Sequence, residues 1–170
     1  QAGVPADVLQ FVPGSGSEIG AAMCSHPSIS GLVFTGSLAT AKRIEADLSA
    51  GENHEAVLIA ETGGLNAMIV DSSALPEQAV NDIMTAAFRS AGQRCSALRI
   101  VYVQTDIAER VMEMLVGAMA MLKPGNPWML DSDLGPVIDT EAQTGIQGYI
   151  EQHREAVLAQ VPVPDQGCYV

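Results

Sequence analysis

Apolar residues in this chain change several times between a spacing of two and a spacing of about 3.6 residues, and this alternation constrains the fold more than any other feature. Short runs such as 31–36 and 56–61 are rich in β-propensity and end close to a glycine, whereas 37–50 carries apolar residues at helical spacing. The run 56–61 is apolar on both faces, as a central parallel strand would be. Strands that alternate with helices along a chain predict an α/β fold.

The same pattern predicts the individual elements. We expect strands at 8–12, 31–36, 56–61, 66–71 and 97–104, and the start of another strand at 167–170. We expect helices at 15–26, 37–50, 106–122 and 140–160, and one that begins at Pro76 and runs out near Gly92. Ser37 is a suitable N-cap for the second of these helices, and Ser15 or Ser17 for the first.

Composition and charge exclude several classes of function. The 170 residues are 48% hydrophobic and 16% charged, which is too apolar for a disordered chain. Because 8 basic residues stand against 20 acidic ones and the net charge is −12, binding to nucleic acid is not expected. No apolar run reaches the roughly 18 residues that a membrane-spanning helix needs. The low charged fraction suggests that further protein covers part of the apolar surface.

Cysteine and histidine are too few and too scattered for a disulfide framework or a metal site. Cys24, Cys95 and Cys168 are odd in number and far apart, and the three histidines have no ligand spacing. Unpaired cysteines suit a reducing compartment. We therefore expect a cytoplasmic protein without a metal.

Two glycine-containing turns are candidates for binding phosphate groups. In 12–20 (VPGSGSEIG) the dinucleotide fingerprint would need its third glycine at the position of Ile19, so a plain glycine-rich turn is the favoured interpretation. In 34–37 (FTGS), Gly36 ends a strand and Ser37 opens a helix, whose N–H groups and dipole would attract an anion. An anion site and an ordinary serine cap both remain open for this second turn.

Two further residues are candidates for catalysis. Glu61 ends an apolar strand and precedes a glycine pair; partial burial there would raise the carboxyl pKa, as a general base requires. The alternative is a rim carboxylate that is hydrogen-bonded to the turn. Cys95 lies in a short polar loop between a helix and a strand, unlike Cys24, which lies in an apolar run. A nucleophilic thiol and an inert loop cysteine both remain open for Cys95.

The order of these motifs resembles the aldehyde dehydrogenase superfamily. The resemblance is carried by FTGS at 34–37, ETGG at 61–64 and GQRCSA at 92–97. Within the superfamily, 61–80 and 88–104 are similar to the 1-pyrroline-5-carboxylate (glutamate-semialdehyde) dehydrogenase domain of bifunctional proline-utilisation flavoproteins. The similarity continues through GNPW and DLGPVID and weakens after residue 150.

This resemblance implies the fold, the domains and the reaction. Part of a Rossmann-like cofactor domain, residues 1–62, would be followed by the start of the α/β catalytic domain of an aldehyde dehydrogenase, residues 63–170. The implied reaction is the NAD-dependent oxidation of L-glutamate 5-semialdehyde (1-pyrroline-5-carboxylate) to L-glutamate in proline catabolism. NAD is the implied cofactor, and no metal takes part.

The resemblance also implies a role for each site residue. Cys95 corresponds to the catalytic nucleophile, Glu61 to the general base that activates water, and Ser96 to a residue that binds the substrate carboxylate. The implied cofactor-binding residues are Pro13 and Gly14 near the adenine, Gly36 and Ser37 at the pyrophosphate, and Thr62 and Gly63 near the nicotinamide.

Members of the superfamily are much longer than this chain. Three of their segments have no counterpart in it: an upstream Asn of the oxyanion hole, an upstream Lys segment at the adenosine ribose, and a downstream Glu-x-Phe-Gly-Pro segment. We therefore expect an internal piece that is inactive alone, needs the remainder of the enzyme chain and belongs to a homo-oligomer. The alternative is a non-catalytic remnant or interaction module with the same fold. Both would retain Cys95 and Glu61, so the choice remains open.

Overall fold

Each of two units in the chain contains a pair of parallel strands connected by a helix. In a computed structural model that describes residues 3–51 and 54–170, the first unit ends at Gly63 and the second begins at Gly64. In both units a strand is followed by a helix and then by a parallel partner strand, which confirms the α/β class. Among the described residues, no helix is both long enough and apolar enough to cross a bilayer.

The first unit contains two helices and two strands. They are α1 (Gly16–Ser25), β1 (Gly31–Gly36), α2 (Leu38–Ala50) and β2 (Val57–Thr62). Ser15 caps α1 and Ser37 caps α2, because the side-chain oxygen of each accepts from the main-chain N–H three residues further on. Both predicted N-caps are thus confirmed.

The sheet formed by β1 and β2 is covered on one face. Leu32 and Leu58 lie opposite each other and are half-buried, whereas the next pair, Val33 and Ile59, is 76% and 52% exposed. The central position predicted for 56–61 is therefore wrong for the described residues, because β1 is the single strand that pairs with β2 there. The apolar residues on one face of this run are covered, and those on the other face are exposed.

The second unit is built around a larger core. It contains β3 (Asn66–Val70), α3 (Pro76–Phe88), β4 (Leu98–Val103), α4 (Thr105–Met119) and α5 (Thr140–Gln152). β3 and β4 pair in parallel, and Val70, Ile83 and Leu98 form the buried centre of the core between this sheet and the helices α3 and α4. The opposite face of the sheet exposes Ile69 and Tyr102, which lie opposite each other.

Two predicted strands are wrong, and both lack a partner. Residues 8–12 form no strand: the N–H of Val8 donates to the C=O of Pro5 at 3.1 Å and closes a turn, and residues 9–12 pair with no strand of the described chain. Residues 167–170 also form no strand: Gly167 has a φ of +104°, which departs from extended backbone, and a hydrogen bond from Val137 to the carbonyl of Cys168 is not continued as a ladder.

Two predicted helices end earlier than expected. The last helix stops at Gln152, because His153 leaves the helical region with φ −114° and ψ 20°, and a short 3-10 turn at Arg154–Ala156 follows. The helix that begins at Pro76 ends at Phe88, and residues 89–92 form a separate tight turn. This second early end bears on the candidate site, because the turn leads directly to Cys95.

Candidate active site

Cys95 lies at the tip of a four-residue turn just before β4. The N–H of Ala97 donates to the C=O of Arg94 at 3.1 Å, which closes the turn with Cys95 and Ser96 in its two central positions. Both central residues are exposed, whereas Ala97 is fully buried at 0% exposure. The turn, residues 94–97, is therefore anchored in the core and presents a thiol and a hydroxyl side by side. We call it the thiol turn.

The chain enters the thiol turn through three consecutive left-handed residues. Ser90, Ala91 and Gly92 have φ angles of 58°, 52° and 66°. For the two residues with a Cβ this conformation costs on the order of 1 kcal/mol each or more. Arg99 offsets part of this cost, because its Nη2 donates to the C=O of Gly92 at 2.6 Å. A Cβ added to Gly92 would lie 3.0 Å from the carbonyl oxygen of Ala87, so glycine is required there.

Gln93 links the approach to the thiol turn with a distant segment of the same unit. Its Nε2 donates to the carbonyl oxygens of Ser90 at 3.1 Å and Pro136 at 3.4 Å. Its Oε1 accepts from the N–H of Ile138 at 2.8 Å. The carboxamide thus joins the strained segment before Cys95 to residues 136–138.

Asn66 holds the thiol turn from the side of β3. Its Nδ2 donates to the carbonyl oxygen of Cys95 at 2.6 Å and to that of Ala97 at 3.0 Å. Asn66 is the first residue of β3 and lies opposite Leu98, so both main-chain carbonyls come within reach of one side-chain amide. The main chain at Cys95 is therefore tied to the sheet.

The three cysteines have different surroundings. Cys95 is exposed, Cys168 is half-buried, and Cys24 is 2% exposed, as its apolar run predicted. Burial, reinforced by the Asp47 carboxylate, raises the pKa of the Cys24 thiol. Among residues 3–51 and 54–170, no group of three or more histidine, cysteine or carboxylate side chains has the arrangement of a metal site.

The carboxyl ends of β1 and β2 bring together four of the residues that the sequence singles out. Gly36 lies opposite Thr62 in the last pair of the sheet, Glu61 lies opposite Thr35, and Ser37 follows directly as the cap of α2. Glu61 is therefore the last residue but one of its strand, one residue short of the expected end, and it is exposed rather than partly buried. The reason is that β1 is its single neighbouring strand in the described part of the chain.

The start of α2 leaves main-chain N–H groups available for an anion. The first intrahelical hydrogen bond runs from Ala41 to the C=O of Ser37 at 3.0 Å, and Ser37 Oγ accepts from the N–H of Thr40 at 3.1 Å. The N–H groups of Leu38 and Ala39 precede these bonds, at the positive end of the helix dipole. Ser37 is thus a helix cap, and the same geometry suits a phosphate group.

An open groove of about 550 Å³ runs beside this helix start. Its lining includes Leu38 and Lys42 from α2 and Thr62 from β2, together with the carboxylate of Glu45. The groove thus begins where the two strands end and continues along α2. Its position next to unpaired helix N–H groups fits a ligand that carries phosphate groups, such as a dinucleotide.

The glycine-rich segment 12–20 has the geometry of the plain turn that its sequence favours. Pro13 and Gly14 are exposed before α1, and a Cβ added to Gly14 would lie 2.6 Å from Cδ1 of Ile19. The side chain of Ile19, at the position of the third fingerprint glycine, thus packs against Gly14. Gly63 is exposed, with no neighbouring atom within 4 Å of an added Cβ. The cofactor roles of these three residues stay predictions.

The candidate residues thus form two groups. Cys95 and Ser96 belong to the second unit, and the remaining candidates belong to the first. The sequence analysis did not single out Asn66 or Gln93, which hold the thiol turn, or the left-handed Ser90 and Ala91. Asn66 carried a usable signal, because asparagine is disfavoured in strands and here opens one. Ser90 and Ala91 carried none, since neither residue type favours a left-handed conformation.

The fold and the exposed thiol turn define a class of protein, and a comparison with known families agrees. The model of the aldehyde dehydrogenase family matches residues 1–169. The chain therefore belongs to the aldehyde dehydrogenase family. The resemblance inferred from FTGS, ETGG and GQRCSA is confirmed.

Among curated proteins, the chain is similar to enzymes named for proline catabolism. It is 48% identical over 157 residues to the bifunctional protein PutA of Salmonella typhimurium. The aligned residues make up 91% of this chain and 12% of that protein. It is 37% identical over 153 residues to 1-pyrroline-5-carboxylate dehydrogenase 1 of Halalkalibacterium halodurans. Here the aligned residues make up 88% of this chain and 30% of that enzyme. The chain thus spans a minor part of the relatives that it matches.

Solved structures show the same relationship. A crystal structure of a variant of proline utilization A from Bradyrhizobium japonicum has a TM-score of 0.95 and 48% identity, covering 99% of this chain and 17% of that one. Betaine aldehyde dehydrogenase from Staphylococcus aureus, solved in complex with NAD+, has a TM-score of 0.81 and 30% identity, covering 92% of this chain and 32% of that one. The fold is therefore that of an aldehyde dehydrogenase.

The surroundings of the cysteines predict their order of reactivity. In the folded chain, iodoacetamide should label Cys95 at least about tenfold faster than Cys24, because Cys24 must be exposed by a local opening and ionises less readily. Peptide mapping after timed quenching measures this order. The urea-unfolded chain is the control, in which all three thiols should react at similar rates. Faster labelling of Cys24 or Cys168 in the folded chain would contradict the assignment of the reactive thiol.

Proposed function

We propose that this chain forms the thiol and cofactor part of an NAD-dependent dehydrogenase that oxidises L-glutamate 5-semialdehyde to L-glutamate in proline catabolism. One observation carries the proposal: Cys95 is exposed at the tip of a turn whose main chain is tied to the sheet by Asn66. The names of the PutA and 1-pyrroline-5-carboxylate dehydrogenase relatives support the substrate class.

Cys95 acts as the nucleophile. Its thiolate forms a C–S bond to the aldehyde carbon, and the carbonyl electron pair moves to oxygen, which gives a thiohemiacetal anion. The main-chain N–H of Cys95 is proposed to donate to this oxygen. When the oxygen re-forms its double bond to carbon, a hydride leaves that carbon and a thioester remains on the sulfur. NAD, when bound, supplies the hydride acceptor.

Glu61 acts as the general base for the second half of the reaction. Its carboxylate accepts a proton from water while the water oxygen attacks the thioester carbon, and the C–S bond breaks to release glutamate and the Cys95 thiol. Its place in the ETGG motif, next to the last residue of β2, supports this role.

The first unit is proposed to hold the cofactor, with its pyrophosphate at Gly36 and Ser37. The unpaired N–H groups at the start of α2 and the adjoining groove support this assignment. Thr62 and Gly63 would lie near the nicotinamide, and Pro13 with Gly14 near the adenine. Residues 1–62 are accordingly proposed as part of the cofactor domain and 63–170 as part of the catalytic domain. We also propose that this part works together with the remainder of the enzyme chain, that the enzyme is a homo-oligomer, and that it is located in the cytoplasm.

A chimera tests the reaction in a complete enzyme. Residues 1–170 would replace the matched segment of the Salmonella typhimurium PutA relative, and the formation of NADH from NAD and glutamate semialdehyde would be followed by its absorbance. We expect steady turnover in the chimera and none in its Cys95→Ala variant. The isolated chain should be slower by about 10²–10³ or more, since it lacks an oxyanion donor. An inactive, folded chimera would favour a non-catalytic remnant.

Ser96 predicts selectivity for a substrate that carries a carboxylate. Its hydroxyl lies beside the nucleophile in the thiol turn and can donate to a carboxylate oxygen. In the chimera, Ser96→Ala should therefore lower kcat/KM for glutamate semialdehyde by about tenfold or more and leave propanal nearly unchanged. Ser72→Ala, in the exposed segment between β3 and α3, is the matched control. Equal losses on both substrates, or none, would make Ser96 a structural residue of the turn.

A further inference from the structure

The carboxamide of Asn66 donates hydrogen bonds to two main-chain carbonyl oxygens of the thiol turn. Nδ2 donates to the carbonyl oxygens of Cys95 at 2.6 Å and Ala97 at 3.0 Å, so one side-chain nitrogen spans the turn. An –NH₂ group has two hydrogens to donate, and both are used here. In residues 3–51 and 54–170, no other side chain donates to either of these oxygens.

These two bonds restrict the main chain on both sides of Ser96. A peptide unit is planar and trans, so a fixed Cys95 carbonyl also fixes the direction of the Ser96 N–H. The second bond, at Ala97, fixes the peptide unit at which the turn passes into β4. Cys95 and Ser96 therefore have little freedom to rotate while Asn66 stays in place. The direction in which the thiol leaves the main chain is set by the same restriction.

The strand itself gives no reason for an asparagine at this position. Asparagine is depleted in strands, and the register of β3 shifts between Asn66 and Ala67, so the first strand residue is already irregular. The residue is half-buried, which would suit an apolar side chain equally well. What an apolar side chain would lack is a donor for the two carbonyl oxygens. The observed hydrogen bonds are therefore directed at the thiol turn.

We infer that Asn66 is a positioning residue for the Cys95 nucleophile: by binding the carbonyls of Cys95 and Ala97, it holds the thiol turn in the conformation that aims the thiol at the aldehyde. The inference rests on the proposed role of Cys95. Asn66 takes no part in proton or hydride transfer and acts on the reaction through the main chain alone.

The first test measures the turn in the 170-residue chain. Hydrogen exchange of the Ala97 N–H, which closes the turn, reports its opening. In Asn66→Ala this exchange should be about tenfold faster. The core amides chosen as references are those of Gln104, which donates to the C=O of Val70, and Ala79, which donates to the C=O of Leu75, and both should be unchanged. Asn81→Ala is the matched control, because Asn81 is exposed on α3. An exchange rate at Ala97 within about twofold of the unsubstituted chain, or equal acceleration of the core amides, would overturn the inference.

In Asn66→Asp, the exchange rate of the Ala97 N–H should depend on the ionisation of the new carboxyl group. A side chain at 66 that only filled space would not produce this pH dependence. The ionised carboxylate has no hydrogen to donate and faces two carbonyl oxygens, so near pH 7 the Ala97 N–H should exchange at least as fast as in Asn66→Ala. A protonated carboxyl group donates one hydrogen. Protection, corrected for the intrinsic exchange rate, should therefore return in part as pH falls through the carboxyl pKa, and only in Asn66→Asp. Absence of that return, or failure of both variants to fold, would overturn the inference.

The second test separates positioning from the reaction itself. In the chimera, Asn66→Ala should lower kcat by about tenfold or more with a smaller change in KM, since a misdirected thiol affects the reacting geometry rather than binding. An unchanged kcat would overturn the inference even if the turn opens. If the unsubstituted chimera is inactive, the proposed function fails, whereas the exchange data still decide whether Asn66 holds the turn.

Discussion

Parallel pairing of β3 with β4 is the interaction on which the candidate site depends. Its register places Asn66 opposite Leu98, one residue beyond the end of the thiol turn, and so brings a side-chain amide within reach of two main-chain carbonyls. The buried Ala97 and Leu98 keep the base of the turn in the core. An exposed thiol is thereby held by groups that cannot move without opening the sheet. Chemistry on a loop held by a rigid scaffold is a common arrangement in enzymes.

The approach to the thiol turn carries a conformational cost that its neighbours offset. Ser90 and Ala91 adopt left-handed angles that L residues avoid, and the hydrogen bonds of Gln93 and Arg99 hold the strained segment in place. Helix α3 therefore ends at Phe88, and the chain reverses its handedness before it reaches Cys95. The turn is tied to three parts of the second unit: β3, β4 and residues 136–138.

Local features of the sequence predicted the elements well. The caps at Ser15 and Ser37 and the four strands β1 to β4 follow from side-chain chemistry and short-range periodicity, which the residues themselves contain. Within the described residues, the strand predicted at 8–12 and the central place of 56–61 are wrong, because strand pairing depends on partners distant in sequence that local periodicity does not report. The exposure of Glu61 has the same cause. The order of the glycine, glutamate and cysteine motifs predicted the family, since that pattern is specific.

The contacts around Cys95 could not be predicted from the sequence. Asn66 and Gln93 act through carbonyl groups that folding brings near them from 29 and 43 residues away. The residue types serine at 90 and alanine at 91 do not predict a positive φ, because only the surrounding hydrogen bonds make that conformation stable. The roles of Cys95 and Glu61 are assigned by resemblance to the family, and the structure adds the hydrogen bonds that hold Cys95.

The most direct test of the central claim is to trap the covalent intermediate on Cys95. In the chimera, Glu61→Gln removes the proposed general base and keeps Cys95, so the thioester should accumulate after mixing with glutamate semialdehyde and NAD. The sample would be acid-quenched, digested and analysed by mass spectrometry. We predict that the peptide containing Cys95 gains the mass of one γ-glutamyl group, and that this gain is absent without NAD. A folded, cofactor-binding chimera in which Cys95 stays unmodified, or in which another residue carries the adduct, would contradict the account.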